Sequence, residues 1–232
     1  ELMDKTVAII GGGPAGLMTA EVLSQHGMKV DVYDSMPSLG RKFLLAGKSG
    51  LNLTHSEPFE KFVTRYGKRK EEIEKWLLDF MPDDLRNWAR GLGVETFVGT
   101  SGRVFPMEMK ASPLLRAWLK GLDEAGVNFH LRHRWNGKIS LDQGGGSGLK
   151  NSDLSMEFET PDGNIIVKAD AVILALGGGS WARLGSDGAW VNWLSQAGVK
   201  VEALKPSNCG FDVAWSPVFK EKFDGQPIKS VV

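Results

Sequence analysis

Residues 6–34 read TVAIIGGGPAGLMTAEVLSQHGMKVDVYD. Thr6 to Ile10 is a short apolar, β-branched run with the composition of a buried parallel strand. It runs directly into a G-x-G-x-x-G at Gly11, Gly13 and Gly16. In such a turn the first glycine permits the tight bend, the second lets backbone approach a pyrophosphate, and the third lets helix pack close to strand. From Pro14 and Ala15 the pattern becomes helical, with Leu17, Ala20 and either Leu23 or Ser24 on one face and Gly27 where a left-handed C-cap belongs. Val30, Val32 and Tyr33 form a second strand ending at Asp34, which stands 23 positions past Gly11. An acid about 20 residues beyond the first glycine suits the ribose hydroxyls of a dinucleotide, and it favours FAD or NAD over NADP. The phosphates would rest on the free N–H groups and positive dipole end of the helix.

Outward from this unit, residues 35–54 form a loop punctuated by Gly40, Gly47 and Gly50 and charged by Arg41, Lys42 and Lys48. Such a loop can fold back over a pyrophosphate, or it can be an ordinary exposed connection. Residues 57–92 read as helices: Trp76, Leu77, Phe80 and Met81 follow a 3.6 period, Pro82 breaks it, and Leu85, Trp88, Ala89 and Leu92 resume it. Those aromatics are expected in the core. Val94–Val98 and Arg103–Met107 read as a strand pair, and Ser112 is expected to N-cap a helix that has Pro113 at its first position.

Another strand is expected at Val127–Arg132, with His130 and His133 on opposite faces. Residues 135–169 look antiparallel, with strands at Lys138–Leu141 and Ser155–Thr160 flanking the glycine-rich tip 144–148, and a hairpin turn at Asp162-Gly163. Asp170–Leu176 is the third strongly apolar strand, and Gly177-Gly178-Gly179 follows at once. Glycines at the carboxyl end of a parallel strand are where a second stretch of backbone passes a bound nucleotide. Asp187 and Gly188 lead into a helix ended by Gly198, and Val199–Leu204 reads as a further strand.

The 232 residues balance 28 basic against 28 acidic side chains, so no electrostatic footprint for nucleic acid exists. The mixed-sign run KRKEEIEK at 68–75 is a solvated helix face. Cys209 is the only cysteine, which removes intrachain disulfides, C-x-x-C redox pairs and thiolate metal clusters. The four histidines show no metal-ligand spacing. No apolar run reaches membrane-spanning length and the start lacks a signal-peptide pattern, so the expectation is cytoplasmic, with no membrane partner.

Several further motifs stand in a particular order: GRKFLLAGKSGLNLTHSE at 40–57, GRVFP at 102–106, DAVILALGGGSW at 170–181, GSDGAW at 185–190 and PSNCGFDV at 206–213. Together with GGGPAGL at 11–17, they resemble the HI0933-like family of bacterial NAD(P)/FAD-dependent oxidoreductases over nearly the whole chain. The resemblance implies an α/β fold: a Rossmann-like, glutathione-reductase-type FAD-binding domain with a parallel sheet, a helical insertion and an antiparallel β-meander. It implies a first part of the FAD core at 1–55, a helical and strand insertion at 56–126, a return to the core at 127–205, and the start of a second domain at 206–232.

The same resemblance implies that Gly11, Gly13, Pro14, Ala15, Gly16 and Asp34 hold the ADP moiety. Gly40, Arg41 and Lys42 would meet pyrophosphate and ribose, with Asn52 and Thr54 near the flavin end. Backbone around Trp135 would border the adenine, and Ala175, Leu176 and Gly177 would lie beside the nucleotide. Family members are nearly twice as long, and a C-terminal segment returns to close over the isoalloxazine ring, so these residues are expected to be an N-terminal part. The expected function is an FAD-dependent oxidoreductase that passes electrons between NAD(P)H or another small-molecule donor and an acceptor. His55 is the candidate acid or base. The alternatives are a truncated nucleotide-binding module without turnover and, disfavoured by the neutral charge, a flavin-dependent RNA-modifying enzyme.

Overall fold

The structure, a computed structural model, describes residues 5–48, 50–141, 154–206 and 213–225. The glycine-rich stretch 144–148 and Cys209 lie outside the described residues. In chain order the opening elements are β1 (Thr6–Ile10), α1 (Pro14–Gln25), β2 (Lys29–Asp34), α2 (Arg41–Ala46) and β3 (Thr54–His55). Next come α3 (Phe59–Phe62), a 3-10 segment at Val63–Arg69, α4 (Lys70–Asp79), α5 (Pro82–Gly91), β4 (Thr96–Val98), β5 (Arg103–Pro106) and α6 (Ser112–Glu124). Strands β6 (Asn128–Leu131), β7 (Arg134–Leu141), β8 (Leu154–Thr160), β9 (Gly163–Ala169) and β10 (Ala171–Leu174) follow, then α7 (Trp190–Gln196) and α8 (Pro217–Phe223). The chain forms two compact units, residues 1–201 and 202–232. Among the described residues, no helix is long and apolar enough to cross a membrane.

The organising layer of the first unit is a parallel sheet of order β10-β1-β2-β6. Ile9 on β1 lies beside Ile173 on one side and Val32 on the other. Because side chains alternate across a strand, β1 feeds two cores. Val7 and Ile9 join Val30, Val32, Leu17, Ala20, Leu115, Trp118 and Leu122 on the helical face. Ala8 and Ile10 join Tyr33, Trp135, Met156 and Phe158 on the other face, where the antiparallel meander β7-β8-β9 covers the sheet. This is the expected Rossmann-like arrangement of parallel sheet, helices and meander. The β4–β5 pair forms, with Phe97 opposite Phe105, and β3 adds to it through Thr54 opposite Val104.

Several local expectations give way. Residues 41–46 of the presumed loop are helical. Trp76 is 61% exposed and α4 buries no residue, so that helix contributes no core aromatic. The residue flanking α6 is Ala111, and no side chain caps the helix; Ser112 lies inside it. Asp162 and Pro161 make the β8–β9 turn while Gly163, at φ +117°, already pairs with Thr160. Residues 199–204 form no strand, because they pair with no neighbouring strand among the described residues.

His130 and His133 do not diverge. Strand β6 stops at Leu131, Arg132 turns at φ +58°, and the two rings meet edge-on with centroids 5.6 Å apart. His130 stacks on Tyr33 at 4.4 Å and its Nε2 bonds Asp31 Oδ1 at 2.7 Å.

Candidate functional site: a cleft at the carboxyl ends of β1, β2 and β10

Strand β1 sits centrally: the chain leaves it for β2 on one side, and β10 lies on the other. The strand order therefore reverses at β1, and ligands of open parallel sheets bind outside the carboxyl ends at such a point. There the structure has a cleft of about 580 Å³, bordered by Gly11–Gly13 after β1, Asp34–Met36 after β2 and Ala175–Gly177 after β10.

The three motif glycines are needed for different reasons. Gly11 has φ +114°, and a Cβ on it would stand 2.2 Å from Ala175 O. A Cβ on Gly16 would stand 1.9 Å from Gly11 O. Both are closed by the protein's own backbone. Gly13 differs: its φ is an ordinary −86°, and its Cβ would meet nothing within 4 Å. What its missing side chain leaves free is cleft.

Pro14 opens α1 with no side-chain cap, and the first helical bond is Leu17 N–H to Gly13 O at 2.9 Å. Among the described residues, no side chain caps the positive end of this helix.

Asp34 holds the neighbouring strand ends together. Its Oδ2 accepts the Gly12 N–H at 2.7 Å and its Oδ1 the Met36 N–H at 2.8 Å. Burial pushes its carboxyl above the usual range, opposed by the Met36 and Gly12 N–H groups and by Arg41. Each carboxylate oxygen keeps a further lone pair for a hydroxyl donor. Tyr33 beside it is held as a neutral phenol, pushed up to about 12 by burial and by Asp31.

From the far side of the cleft, Lys42 Nζ donates to Ser180 Oγ at 3.0 Å and Ser186 Oγ at 3.3 Å, and Ser186 in turn donates to Gly178 O at 2.9 Å. Gly40 has φ +63°, where a Cβ would press against Leu115. Its N–H donates to Gly12 O at 2.9 Å, which ties α2 to the glycine turn. Trp135 is buried and donates its indole N–H to Lys138 O at 2.9 Å.

Of the residues expected at the site, Gly11, Gly13, Pro14, Asp34, Gly40, Arg41, Lys42, Asn52, Trp135, Ala175, Leu176 and Gly177 line this one cleft. Ala15, Gly16, Thr54 and His55 do not. Thr54 and His55 line an adjoining pocket of about 380 Å³ with Arg65 and Arg103, and Asn52 borders both. His55 Nε2 donates to Ser101 O at 3.0 Å, while Nδ1 accepts the Glu57 N–H at 3.1 Å. Backbone therefore occupies both ring nitrogens and fixes the Nε2–H tautomer, an arrangement that braces the β4–β5 turn rather than offering a proton to the cleft.

The sequence reading missed an apolar end formed by Met18, Phe43, Leu85, Trp88 and Trp118. Both of those tryptophans donate to Glu21, Trp88 at 3.1 Å and Trp118 at 2.6 Å. It also missed the wall formed by Ser186, Asp187 and Trp190. The GSDGAW string at 185–190 marked the place, but nothing in it says which side chains face inward.

Two donors of the cleft lining, Arg41 Nε and Trp190 Nε1, are buried with no acceptor among the described residues. Orphaned donors are costly in a folded protein. The space at Gly13, the uncapped start of α1 and the open lone pairs of Asp34 fit an elongated ligand carrying phosphate and hydroxyl groups, such as a flavin dinucleotide.

Over 71 residues, 31% of this chain, the sequence is 34% identical to the thiamine thiazole synthase of Methanosarcina acetivorans, covering 27% of that protein. Over 36 residues, 16% of the chain, it is 56% identical to the glutamate synthase (NADPH) small chain of Escherichia coli, covering 8% of that protein. In fold it matches the 3-ketosteroid-Δ4-(5α)-dehydrogenase of Rhodococcus jostii RHA1, with TM-score 0.54 and 16% identity over 75% of this chain and 46% of that one. The chain thus spans less than half the length of each. The profile of the HI0933-like protein Rossmann domain matches residues 5–214. With the strand order, the glycine turn and the cleft in place, this chain belongs to the HI0933-like family.

Proposed function

We propose that this chain is the FAD-binding domain of a cytoplasmic oxidoreductase that passes electrons from a small-molecule donor, NADH or NADPH, to a small-molecule acceptor. The observation that carries this is Gly13, an unstrained position whose missing Cβ leaves cleft instead of relieving a clash. Backbone brought that close to open space at a helix start is what a pyrophosphate requires. Asp34 supports the reading as an acceptor for ribose hydroxyls, and the Arg41 guanidinium, which lines the cleft, as a donor to phosphate. Lys42, shared between two serine hydroxyls, can turn to a phosphate oxygen without leaving a buried charge alone.

When bound, the flavin supplies the hydride and single-electron chemistry, while the protein binds, orients and shields it. The tethered His55 ring leaves no acid or base assigned on this chain.

The test is an FAD titration of the purified protein, followed by anaerobic mixing with NADH or NADPH. Saturable uptake and bleaching of the flavin bands are expected. Uptake without bleaching by either donor would favour a nucleotide-binding module that does not turn over, and no uptake would defeat the proposal altogether.

A further inference from the structure

We propose that the smaller pocket beside the cleft, bordered by Arg65 and Arg103, holds an oxyanion group of the small molecule that reacts with the flavin. The group is a carboxylate or a phosphate. This rests on reading the cleft as an FAD site.

The first observation is charge. Arg65 and Arg103 both line this pocket of about 380 Å³, together with Thr54 and Ser101, and no acidic residue lines it among the described residues. His55 spends its ring nitrogens on Ser101 O and the Glu57 N–H. The groups left to meet a ligand are therefore guanidiniums, hydroxyls and the Asn52 amide. The nearby Glu57 carboxylate accepts from Arg65 Nε and, at 2.9 Å, from Arg65 Nη2. That pair leaves Arg65 its Nη1 donors. Lys61 Nζ also approaches Glu57, at 3.8 Å, so one acid stands against three cations.

The second observation is access. Arg103 is exposed and the Arg65 side chain is 56% exposed, so a ligand can reach both forks. Guanidinium forks match the geometry of carboxylate and phosphate oxygens.

The third observation is how the two arginines, far apart in the chain, are held around one pocket. Arg103 on β5 stands opposite His55 on β3, and cross-strand partners share a face of a sheet. The His55 ring joins the turn before Arg103 to the backbone of Glu57, whose carboxylate holds Arg65. Ser56 N–H donates to Gly102 O at 2.8 Å, and Ser56 Oγ donates to the same oxygen at 3.0 Å. A frame bonded in this way lowers the ordering cost of binding.

Position gives the pocket its role. Asn52 borders both it and the cleft, and Asn52 Nδ2 is fixed by Thr54 O at 2.8 Å and Val104 O at 3.3 Å. A molecule anchored here lies beside the dinucleotide and does not compete for the phosphate position at Gly13.

The test uses FAD-loaded protein, in which the pyrophosphate position is already filled. Succinate, inorganic phosphate and the uncharged succinamide are titrated by calorimetry at low ionic strength, because exposed charges are screened by salt. At least one of the two anions is expected to bind saturably, and succinamide is not. Whichever anion binds tighter identifies the group as carboxylate or phosphate. Arg103→Gln should raise that dissociation constant about tenfold to a hundredfold, the scale of a charge-assisted hydrogen bond. FAD affinity should stay that of the parent. Arg103→Lys, which keeps the charge and loses the fork, should fall between.

Binding of neither anion would overturn the proposal, and so would equal affinity in the parent and Arg103→Gln, or equal binding of succinamide. Phenylglyoxal labelling of the parent, read by mass spectrometry, needs no variant: the bound anion should protect Arg103, and absence of protection counts against the site. A parent that takes up no FAD ends the functional reading and this inference with it. A parent that loads FAD and binds neither anion ends this inference alone.

Discussion

The carboxylate of Asp34 accepts the Gly12 N–H at 2.7 Å, so the last residue of β2 holds the turn that follows β1. Asp34 consequently has work to do before any ribose arrives. Asp34→Ala leaves the Gly12 and Met36 N–H groups without their acceptor and should lower apoprotein stability by roughly 1–3 kcal/mol. It should also weaken FAD binding by about 1.5–3 kcal/mol, the range for a hydrogen bond involving a charged group. Denaturant melts of the apoprotein and an FAD titration separate the two effects. A variant that melts like the parent would show that the Gly12 contact adds nothing to the fold.

The motif glycines should divide by position. Gly13→Ala and Gly13→Val are expected to leave apoprotein melting close to the parent and to abolish FAD uptake, because the new carbons enter cleft and not protein. Gly11→Ala should destabilise the apoprotein itself, since its φ of +114° and the 2.2 Å approach to Ala175 O are both hostile to a Cβ. Parallel melting and FAD titration decide the matter. A Gly13→Val protein that binds FAD like the parent would remove phosphate from this turn.

Asp170 anchors the foot of the same sheet. It accepts from Lys5 Nζ at 2.8 Å, from Thr6 N–H at 2.8 Å and from Thr6 Oγ1 at 2.9 Å. The Lys5 ammonium first, then the Thr6 donors, hold its carboxyl well below the usual carboxylate range. A carboxyl depressed in the fold stabilises it fully above the unfolded value, about 3.9. That contribution fades as pH falls from there toward the lower folded value. Asp170→Asn should therefore melt below the parent at neutral pH, and the gap should narrow once pH drops under about 4. A gap constant across that range would contradict the assigned ionic role.

Glu21 joins two tryptophans at the apolar end of the cleft, and their rings meet edge-to-face at 4.8 Å. Glu21→Ala orphans both indole donors, at roughly 1–3 kcal/mol each. Glu21→Gln keeps one acceptor oxygen and should recover part of the loss. Urea unfolding followed by tryptophan fluorescence measures both. Equal stability of Gln and Ala variants would mean that the Trp contacts contribute through packing alone.

Much of the fold could be read from local sequence, because its signals are local. The β-branched runs at 6–10 and 171–174, the spacing of Gly11, Gly13 and Gly16, and the acid closing β2 each follow from a few consecutive residues. The hairpin of β4 and β5 follows from the glycines between its strands. Such patterns fix periodicity and turn chemistry whatever the rest of the chain does.

Where the answer depended on what lies across the fold, sequence gave no guidance. Trp76 has the helical period of a core residue, yet α4 buries none of its residues and Trp76 stays exposed. His130 and His133 share one aromatic cluster because the strand ends at Leu131, one residue earlier than its composition implied, and Arg132 turns. His55 looked reactive beside Asn52 and Thr54, but a carbonyl 46 positions away and a neighbouring amide consume its ring nitrogens.

Gly13 is the plainest case. In sequence it is one of three motif glycines, and only the fold shows that its missing Cβ faces the cleft while a Cβ on Gly11 or Gly16 would meet backbone. Sequence by itself determined a strand, a glycine turn, a helix and an acid closing the second strand, since short-range sterics and spacing decide those. Tertiary structure decided which donors are buried without partners, because burial and hydrogen-bond satisfaction depend on residues far apart in the chain.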